Sequence, residues 1–483
     1  MSDYSIHIET LGCRLNHDES EGAAHLFMEA GFSVDMDILT ASCPAMPNAV
    51  LGIINTCTVT GKAEQKARRV IRLMLSKLPN ALIIVTGCYA ALDSSEITTI
   101  SPERISIVPG TQKYLLSLIA KALTDTGALA VSAGRFSHEA LDSFIAAHSG
   151  KSLLAKSAKF VKSVPVKPFT LYTSVFSKHS RASLKIQDGC NCECSYCRIQ
   201  LSRGKSVSLS VAECVERVQE LEAKGINEVI LTGVNLSQYA GEGSDAQRVD
   251  FAGLLDILIK KTSRIFFRVS SFYPESINEK LCTVLASPRV QPFFHLSIQS
   301  GSDVILKAMK RPHSVENVFR SIENIRKVKE NPFISCDIIA GFPGESEADF
   351  AKTKELCEKS NFAWIHAFPF SSRPGTLAAS MEGKIPERIK GERVQWLTQK
   401  AIEGKLQYIE QWKGRELDAV VENSRSQQKN CVHAVTGNYL HVECPADDAE
   451  HYKPGSLIRL VIQDSLESSI RSGREIECTG VIV

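Results

Sequence analysis

Short apolar runs alternate with amphipathic segments through the first 124 residues. Apolar runs typical of strands cover 5–12, 51–56, 81–87 and 104–110. Apolar positions spaced three and four residues apart predict helices at 16–31, at 62–78 and in a segment that ends near residue 123. Apolar strands that alternate with helices are typical of a parallel sheet covered on both faces. The pattern therefore predicts an open parallel α/β domain over residues 1–124.

The same alternation resumes near residue 182 and continues to residue 370. Strand-like runs cover 182–189, 227–233, 265–271, 293–300, 333–341 and 362–370, and helical segments separate them. Six strand–helix units are too few for a complete eight-fold barrel but suit a partial, open one. We expect a partial (β/α)6 barrel within a domain of residues 181–410. Residues 125–180 lack this alternation of strands and helices, and we interpret them as a linker or insertion that contains a helix near 138–147.

The last section changes to short, evenly spaced strands. A long helix at about 386–413 is followed by four runs with turn residues between them, which cover 417–423, 430–437, 439–445 and 457–465. Such spacing predicts a small β-barrel or sandwich over residues 411–483. The spacing favours the five-stranded, oligonucleotide-binding kind.

Composition makes membrane insertion and secretion unexpected. The chain has 483 residues, of which 43% are hydrophobic and 23% charged, as in ordinary globular proteins. It contains no apolar run of about 18 residues. The N-terminus has no basic start followed by an apolar stretch, so we expect no secretory signal and a cytoplasmic location. In that reducing compartment, the 15 cysteines favour metal binding or catalysis over disulfides.

Charge is nearly balanced over the whole chain but not locally. The net charge is only +2. Residues 151–187 nevertheless contain seven Lys, one Arg, no acidic residue and four interleaved aromatic residues. This segment could contact phosphates and stack on bases, or it could be a solvated basic linker.

Three isolated cysteines follow three predicted strands of the first domain. Cys13, Cys57 and Cys88 each come just after a strand's carboxyl end. Parallel strands end at one edge of a sheet and lie about 4.8 Å apart, so the three thiols can converge on one object. Three thiolates suit an iron–sulfur cluster with one open iron or an incomplete zinc site. A single buried cysteine in such a place is more often a small core residue.

Four further cysteines lie in the stretch QDGCNCECSYC, residues 187–197. A disulfide knot, a zinc site and an iron–sulfur cluster are the alternatives. Zinc usually takes C-x2-C pairs, and the chain has no second pair at zinc spacing. The ferredoxin spacing is also absent. What remains is a cysteine cluster on a loop after the first barrel strand, in one of two registers: C-x-C-x-C-x2-C, which includes Cys192, or C-x3-C-x2-C on Cys190, Cys194 and Cys197.

This arrangement resembles the radical S-adenosylmethionine (SAM) enzymes. The resemblance implies that the three thiolates hold three irons of a 4Fe–4S cluster, while SAM chelates the fourth iron. Cys192 is then a bystander. A partial barrel suits such a site, because barrel active sites form at the carboxyl ends of the strands.

Further motifs resemble the methylthiotransferases within that superfamily. In order, they are TLGCRLNHDES, INTCTVT, TGCYA, ILTGVNLSQY, RVSSFYP, HLSIQSGSDVILKAMKR, DIIAGFPGE and FPFSSRPGT. The family implies a second 4Fe–4S cluster on Cys13, Cys57 and Cys88, and a C-terminal TRAM domain that binds RNA. TLGCRLNHDES resembles the branch that acts on N6-threonylcarbamoyladenosine beside the tRNA anticodon. The isopentenyladenosine branch more often begins YGCQMN, and the branch acting on a ribosomal-protein aspartate begins LGCPKN.

The resemblance also implies a mechanism and partners. One SAM methylates sulfur on the auxiliary cluster, and a second is cleaved to a radical that abstracts hydrogen from C2 of the adenine. The substrate would be tRNA, and the electron would come from a reductant such as flavodoxin or ferredoxin. An alternative from another class is an RNA-binding protein whose clusters are structural or redox sensing.

Other residues are weaker candidates. The residues considered for cofactor contact are Tyr196, Gly233, Ser297, Gln299 and Gly341. Each also has a structural interpretation: a loop aromatic, a turning glycine or a polar pair in a strand. His295 is interpreted as a core histidine.

A stripe of basic residues lies on the predicted helix after Cys57. We predict that it contacts tRNA phosphates; the alternative is that it is an ordinary solvated helix face. It consists of Lys62, Lys66, Arg69 and Arg72.

Two positions depart from the family pattern. Val207 stands where the family often has the second Arg of R-G-x-x-R-S, and Glu193 stands where it often has an aromatic residue. If that Arg binds the SAM carboxylate, Lys205 must replace it or the contact is lost.

Overall fold

A computed structural model describes residues 4–124, 129, 136–149, 169–176, 180–243, 247–423, 430–446 and 448–483. The chain forms two compact units. The first contains residues 1–175 together with 188–192 and 197–207. The second contains residues 176–187, 193–196 and 208–483. The sequence-based limits at residues 124, 180 and 410 stay predictions.

The first unit contains a five-stranded parallel sheet in the order β2-β1-β3-β4-β5. Its strands are β1 (Ser5–Thr10), β2 (Ser33–Asp35), β3 (Ala49–Thr56), β4 (Leu82–Gly87) and β5 (Ile105–Pro109). Its helices are α1 (Arg14–Glu29), α2 (Gly61–Lys77), α3 (Cys88–Leu92), α4 (Ser94–Thr98), α5 (Leu115–Thr124), α6 (His138–His148) and, later in the chain, α7 (Ile199–Arg203). The predicted parallel sheet is confirmed, and β2 is an additional short edge strand.

Both faces of this sheet are covered, as apolar strands require. Ile53 and Ile54 are neighbours on β3 but pack into separate apolar clusters. Ile83 and Ile84 on β4 divide in the same way. Each such fully buried side chain contributes about 1.5–3 kcal/mol to stability.

The second unit contains the partial barrel. Its principal strands are β6 (Ala182–Lys185), β9 (Glu228–Thr232), β12 (Phe266–Val269), β13 (Ser271–Phe272), β14 (Phe293–Gln299), β15 (Phe333–Ala340) and β16 (Trp364–Pro369). They form two parallel sheets in the orders β12-β9-β6 and β13-β14-β15-β16, linked by a parallel bridge between Phe267 and Val290. All six predicted strand positions are confirmed. The short strands β7 (Gln187–Asp188), β8 (Val207–Ser208), β10 (Ala240–Glu242) and β11 (Arg248–Asp250) complete this part of the chain.

Helices separate the barrel strands as predicted. They are α8 (Val211–Ala223), α9 (Phe251–Lys261), α10 (Glu279–Leu285), α11 (Asp303–Ala308), α12 (Val315–Val328) and α13 (Glu347–Ser360). Ser314 and Ser346 each close a capping box at the start of α12 and α13. Such reciprocal bonds satisfy backbone donors that the first helical turn leaves unpaired.

The long helix α14 (Glu387–Trp412) leads into a closed five-stranded barrel, which confirms the predicted small β-barrel. Its strand order is β17-β18-β19-β21-β20. The strands are β17 (Glu416–Val421), β18 (Cys431–Thr436), β19 (His441–Pro445), β20 (Leu457–Ser465) and β21 (Cys478–Ile482), with the short helix α15 (Glu467–Arg471) before β21. Of the five strands of this barrel, the sequence pattern predicted all except β21.

The predicted helix near 138–147 corresponds to α6. Most of the remaining segment 125–180, including the lysines between 151 and 167, lies outside the described residues.

Candidate active site

Three cysteines lie at one edge of the N-terminal sheet. Cys57 directly follows β3, Cys88 follows β4, and Cys13 comes three residues after the end of β1. The strands β1, β3 and β4 are neighbours in the sheet and run parallel. Cys57 and Cys88 are buried, and Cys13 is exposed. The fold therefore brings the three predicted ligands to one edge.

Close packing joins the loop before Cys13 to Cys57. Gly12 has φ +108°, and a Cβ built there would lie 2.6 Å from the Cys57 Cβ and 3.0 Å from its Sγ. Glycine alone combines this left-handed backbone with so close an approach.

The three thiols also interact electrostatically. Burial raises the pKa of Cys57 to about 11, and nearby Cys13 and Cys88 add to the rise, while the Val59 amide opposes it. Burial also raises the pKa of Cys13, because its thiol is enclosed although the residue is exposed. Thiolates that disfavour one another's charge are stabilised by a shared cation, so the donor set fits an iron–sulfur cluster with one open iron.

A buried network of charged and amide groups adjoins this trio. The Arg203 guanidinium donates to Asp188 Oδ1 at 2.9 Å, to Glu19 Oε1 at 3.1 Å and to Asn16 Oδ1 at 2.7 Å. The Lys113 ammonium also pairs with Glu19. Burial lowers the pKa of Lys113, and Glu19 opposes that shift. Burial acts to lower the pKa of Arg203, but Asp188 and Glu19, with smaller contributions from Cys88 and Cys13, raise it well above its usual value.

Asn16 connects Arg203 to the loops that carry two of the cysteines. Its Nδ2 donates to the Leu11 carbonyl at 2.8 Å and to the Thr56 carbonyl at 3.1 Å. Thr56 immediately precedes Cys57, and Leu11 lies two residues before Cys13. The Asn16 side chain thus fixes both loops while its oxygen accepts from Arg203.

Part of the second cysteine motif belongs to the same compact unit. The segments containing Cys190 and Cys197 cluster with residues 1–175, whereas Cys194 clusters with the second unit. The Cys190 amide donates to the Gly204 carbonyl at 3.1 Å. Gly189 has φ +69°, and a Cβ there would lie 2.1 Å from the Lys205 carbonyl oxygen. The loop is therefore folded tightly onto the segment that carries Arg203.

Each thiol of this second trio accepts an N–H group. The Cys192 amide donates to Cys190 Sγ at 3.4 Å, and the Ile199 amide donates to Cys197 Sγ at 3.4 Å. Arg311 Nη1 donates to Cys194 Sγ at 3.6 Å. Such donors stabilise thiolates and tune the potential of an iron–sulfur cluster. None of the 15 cysteines, all of which are described, forms a disulfide.

Barrel residues hold the loop around Cys194 and Tyr196. The Ser195 hydroxyl donates to the Ala308 carbonyl at 2.9 Å, and the Ser195 amide donates to the Met309 carbonyl at 3.0 Å. Tyr196 packs against an apolar cluster that includes Phe342. This is the position of a packed loop aromatic.

Gly233 and Gly341, the two glycines considered for cofactor contact, each lie against other atoms of the protein. A Cβ on Gly233 would lie 2.8 Å from Leu236 Cδ2 and 2.9 Å from Gln187 Oε1, so the protein's own side chains fill that space. Gly341 has φ +75°, its amide donates to Glu345 Oε2 at 2.6 Å, and a Cβ there would meet Lys390 Cγ at 2.4 Å. Both positions therefore need glycine for packing inside the protein.

The strand β14 loses its regular alternation between Leu296 and Gln299. Gln299 is buried and has φ +76°, a conformation that side-chain-bearing residues rarely adopt. The Ser297 carbonyl accepts from Arg311 Nη2 at 2.7 Å. The structure thus marks Gln299 as a conformationally strained position at the end of a barrel strand.

A polar cluster in the barrel was missed by the sequence reasoning. His295 Nε2 lies 3.0 Å from Asp337 Oδ2, and its Nδ1 lies 2.9 Å from the Ser335 hydroxyl. Burial acts to raise the pKa of Asp337, but His295, His366 and Arg311 together lower it below its usual value. Burial and His295 lower the pKa of His366 to about 4. The alternating polar residues of FISCDIIAG were the available signal.

The basic stripe lies on α2 as predicted. Lys62, Lys66, Arg69 and Arg72 are exposed, and none forms an ion pair with another described residue. The opposite face of α2 is buried through Ala67, Val70, Ile71 and Met74.

The two residues that depart from the family pattern, Val207 and Glu193, are both exposed, and Val207 is 41% exposed. Lys205, the suggested replacement for the missing arginine, is exposed as well.

Two family models match the chain. The model described as Radical SAM superfamily matches residues 184–357, and the model described as Uncharacterized protein family UPF0004 matches residues 5–109. The second match contains Cys13, Cys57 and Cys88, and the first contains the C-x3-C-x2-C motif.

Curated relatives match along nearly the whole chain. Threonylcarbamoyladenosine tRNA methylthiotransferase MtaB of Treponema pallidum is 42% identical over 500 residues, which covers 95% of this chain and 98% of the relative. The Thermotoga maritima protein of the same name is 33% identical and covers 86% of each chain. tRNA-2-methylthio-N(6)-dimethylallyladenosine synthase of Sphingopyxis alaskensis is 31% identical and covers 82% of each.

A solved structure supports the fold. The radical S-adenosylmethionine methyltransferase TsrM from Kitasatospora setae, with cobalamin and a 4Fe–4S cluster bound, aligns with a TM-score of 0.52. It is 14% identical and covers 78% of this chain and 74% of that chain, so the likeness concerns the fold alone. No helix in the described ranges is long and apolar enough to cross a membrane.

Proposed function

The chain belongs to the methylthiotransferase family of radical SAM enzymes, and on that premise we propose that it converts N6-threonylcarbamoyladenosine beside the tRNA anticodon to its 2-methylthio derivative. The observation that carries the substrate assignment is the 42% identity to the Treponema relative over 95% of this chain. The dimethylallyladenosine synthase from Sphingopyxis is 31% identical over a smaller share.

The groups that the chain binds supply the difficult chemistry: SAM on the open iron of one 4Fe–4S cluster provides a carbon-centred radical, and a second cluster provides sulfur. Cys190, Cys194 and Cys197 hold the first cluster. The N–H groups on their sulfurs favour the thiolate form that iron requires.

We assign the second cluster to Cys13, Cys57 and Cys88. Their common sheet edge and their mutual electrostatic influence support this assignment. Arg203 and Asn16 hold the loops around Cys13 and Cys57 through hydrogen bonds. The part of the first motif that contains Cys190 and Cys197 belongs to this same unit, which suits an enzyme in which one cluster generates a substrate radical and the other supplies the sulfur that this radical takes up.

Among the residues considered for contact with SAM, Gln299 has the strongest support, and that support is its backbone conformation. Its left-handed conformation is held within a packed strand end, and such strain is concentrated at functional sites. Ser297, Gly341, Gly233 and Tyr196 are the other candidates for cofactor contact in this proposal. At Gly233 and Gly341 the protein's own side chains fill the space beside the backbone, so these two act through packing.

The substrate tRNA would contact the exposed stripe of α2 and the C-terminal barrel, the latter being the TRAM domain. The four cations of the stripe are solvated and suit phosphate contact. A reductant of the flavodoxin or ferredoxin type would supply electrons, and the location would be cytoplasmic.

Nucleoside mass spectrometry of tRNA from a deletion strain tests the substrate. We expect loss of 2-methylthio-N6-threonylcarbamoyladenosine and its return on complementation with the intact gene but not with a Cys57→Ala gene. Selective loss of the methylthio-isopentenyl nucleoside would assign the chain to that branch instead. Unchanged tRNA with an unmodified ribosomal-protein aspartate would assign it to the protein-modifying branch.

A further inference from the structure

Two histidines and a glutamate converge on the C-terminal barrel, in the second unit. His433 lies on β18 and His441 on β19, where His433 pairs with Glu443 and His441 with Val435. The two histidines are therefore diagonal neighbours on one face of an antiparallel pair. Glu475 precedes β21, and the Glu477 amide donates to the His441 carbonyl at 2.9 Å, which holds that segment beside the pair.

The three donor atoms have the separations expected around one small metal ion. His433 Nε2 lies 3.2 Å from His441 Nδ1, and that Nδ1 lies 3.6 Å from Glu475 Oε1. All three ligand atoms lie within 4.8 Å of one another. Zinc binds imidazole nitrogen and carboxylate oxygen at about 2.0–2.2 Å, so two ligands of a tetrahedral site are about 3.3–3.5 Å apart. Little movement is needed to place an ion at equal distance from all three.

Two cations near the cluster, Arg181 and Lys405, already have carboxylate partners. Arg181 pairs with Glu422 at 2.7 Å, and Lys405 pairs with Glu477 at 2.7 Å. The carboxylate of Glu475 has its one ion pair, among the described residues, with His441. The cluster therefore combines two imidazoles with a carboxylate that forms no ion pair with an Arg or Lys among the described residues.

We propose that His433, His441 and Glu475 form a site for a divalent transition-metal ion, with Zn²⁺ as the ion that best suits two imidazoles and one carboxylate. Three protein ligands leave a fourth position for water or another oxygen donor. The ion would join the β18–β19 pair to the segment that follows α15. This site lies apart from the six cluster cysteines in sequence and does not depend on the proposed substrate.

Zinc analysis of the full-length, iron-reconstituted protein tests the site. The protein is incubated with Zn²⁺ and passed through gel filtration, and zinc and iron are then measured per chain. We expect about one zinc in the wild type and in His451→Gln, an exposed histidine of the same barrel, with iron unchanged. We expect at least a tenfold loss of zinc in His433→Gln/His441→Gln and in Glu475→Gln. The exposed Glu475→Gln variant keeps the test valid if the double variant fails to fold.

X-ray absorption at the zinc edge separates the site from zinc bound adventitiously at cluster thiols. Nitrogen and oxygen ligands near 2.0–2.1 Å support the proposal, whereas sulfur ligands near 2.3 Å overturn it. Absence of zinc from the wild type also overturns it, as does equal zinc in wild type and variants, because either result leaves the 3.2 Å contact as a hydrogen bond between two imidazoles.

Discussion

Arg203 Nη2 donates a hydrogen bond of 2.7 Å to Asn16 Oδ1, across 187 positions of sequence. Arg203 lies six residues after Cys197 of the radical motif, and Asn16 lies three residues after Cys13 of the auxiliary trio. One buried contact therefore joins the segments that carry the two cysteine sets. The same guanidinium is paired with Glu19 and Asp188, so its removal would leave two carboxylates beside the trio.

Replacing Arg203 with Gln should lower the midpoint potential of the auxiliary cluster. Loss of a positive charge near Cys13 and Cys88 destabilises the reduced, more negative cluster, and we expect a shift of roughly 50–100 mV. Redox titration followed by EPR measures it, in a Cys190→Ala/Cys194→Ala/Cys197→Ala background that carries only this cluster. Arg203→Lys should retain most of the potential, and the exposed Arg69→Gln should retain all of it. Equal potentials for Arg203→Gln and the parent would show that the arginine is only structural.

Gly12→Ala should prevent assembly of the auxiliary cluster while sparing the radical cluster. The new Cβ would overlap Cys57, and the left-handed backbone costs about 1–2 kcal/mol for a residue with a side chain. Iron per chain should fall from about eight to about four. Gly31→Ala is the matched control, because Gly31 also has positive φ but open space around it. Equal iron loss in both variants would attribute the effect to backbone strain alone.

Cys57→Ala should separate the two activities. With the radical trio intact, we expect reductive SAM cleavage at a rate within about threefold of wild type but no methylthio product, because the sulfur-donating cluster is lost. Quantification of 5′-deoxyadenosine and modified nucleoside in the same reaction checks this. Cys192→Ala should leave both products unchanged. Parallel loss of both products in Cys57→Ala would refute the assignment of separate roles to the two trios.

Charge reversal on α2 should weaken tRNA binding without changing SAM cleavage. For Lys66→Glu/Arg69→Glu we expect a lower affinity and a reduced salt dependence, because each lost phosphate contact removes about 0.7–0.9 from the slope of log K against log salt. Filter binding at several salt concentrations measures the slope. Lys121→Glu, an exposed change on α5, is the control. An unchanged slope would place the tRNA on another surface.

The sheet, the barrel and the placement of Cys13, Cys57 and Cys88 at one edge of the sheet could be predicted because each follows from a local pattern. Parallel strands that are apolar throughout leave their polar and ligating residues at the strand ends, as with Cys57 and Cys88. The edge strand β2 escaped prediction because Ser33–Asp35 is too short and polar to show a period.

Contacts between distant segments could not be predicted from the same pattern. The sequence around Asn16 and Arg203 contains no pattern that predicts their contact across 187 positions. The carboxylates of Glu19 and Asp188, which pair with Arg203, cannot be distinguished in the sequence from ordinary surface charges. Gly233 is a different case. Its position after a strand suggested room for a ligand, whereas Gln187 and Leu236 fill that room.

The most direct test of the account follows a single hydrogen atom. Purified protein with both clusters is reduced and incubated with SAM and a tRNA whose N6-threonylcarbamoyladenosine carries deuterium at C2. We predict deuterium in 5′-deoxyadenosine together with the 2-methylthio nucleoside, in amounts that match within experimental error. Formation of 5′-deoxyadenosine without deuterium and without modified nucleoside would contradict the claim that this barrel activates the C2–H bond of that adenosine.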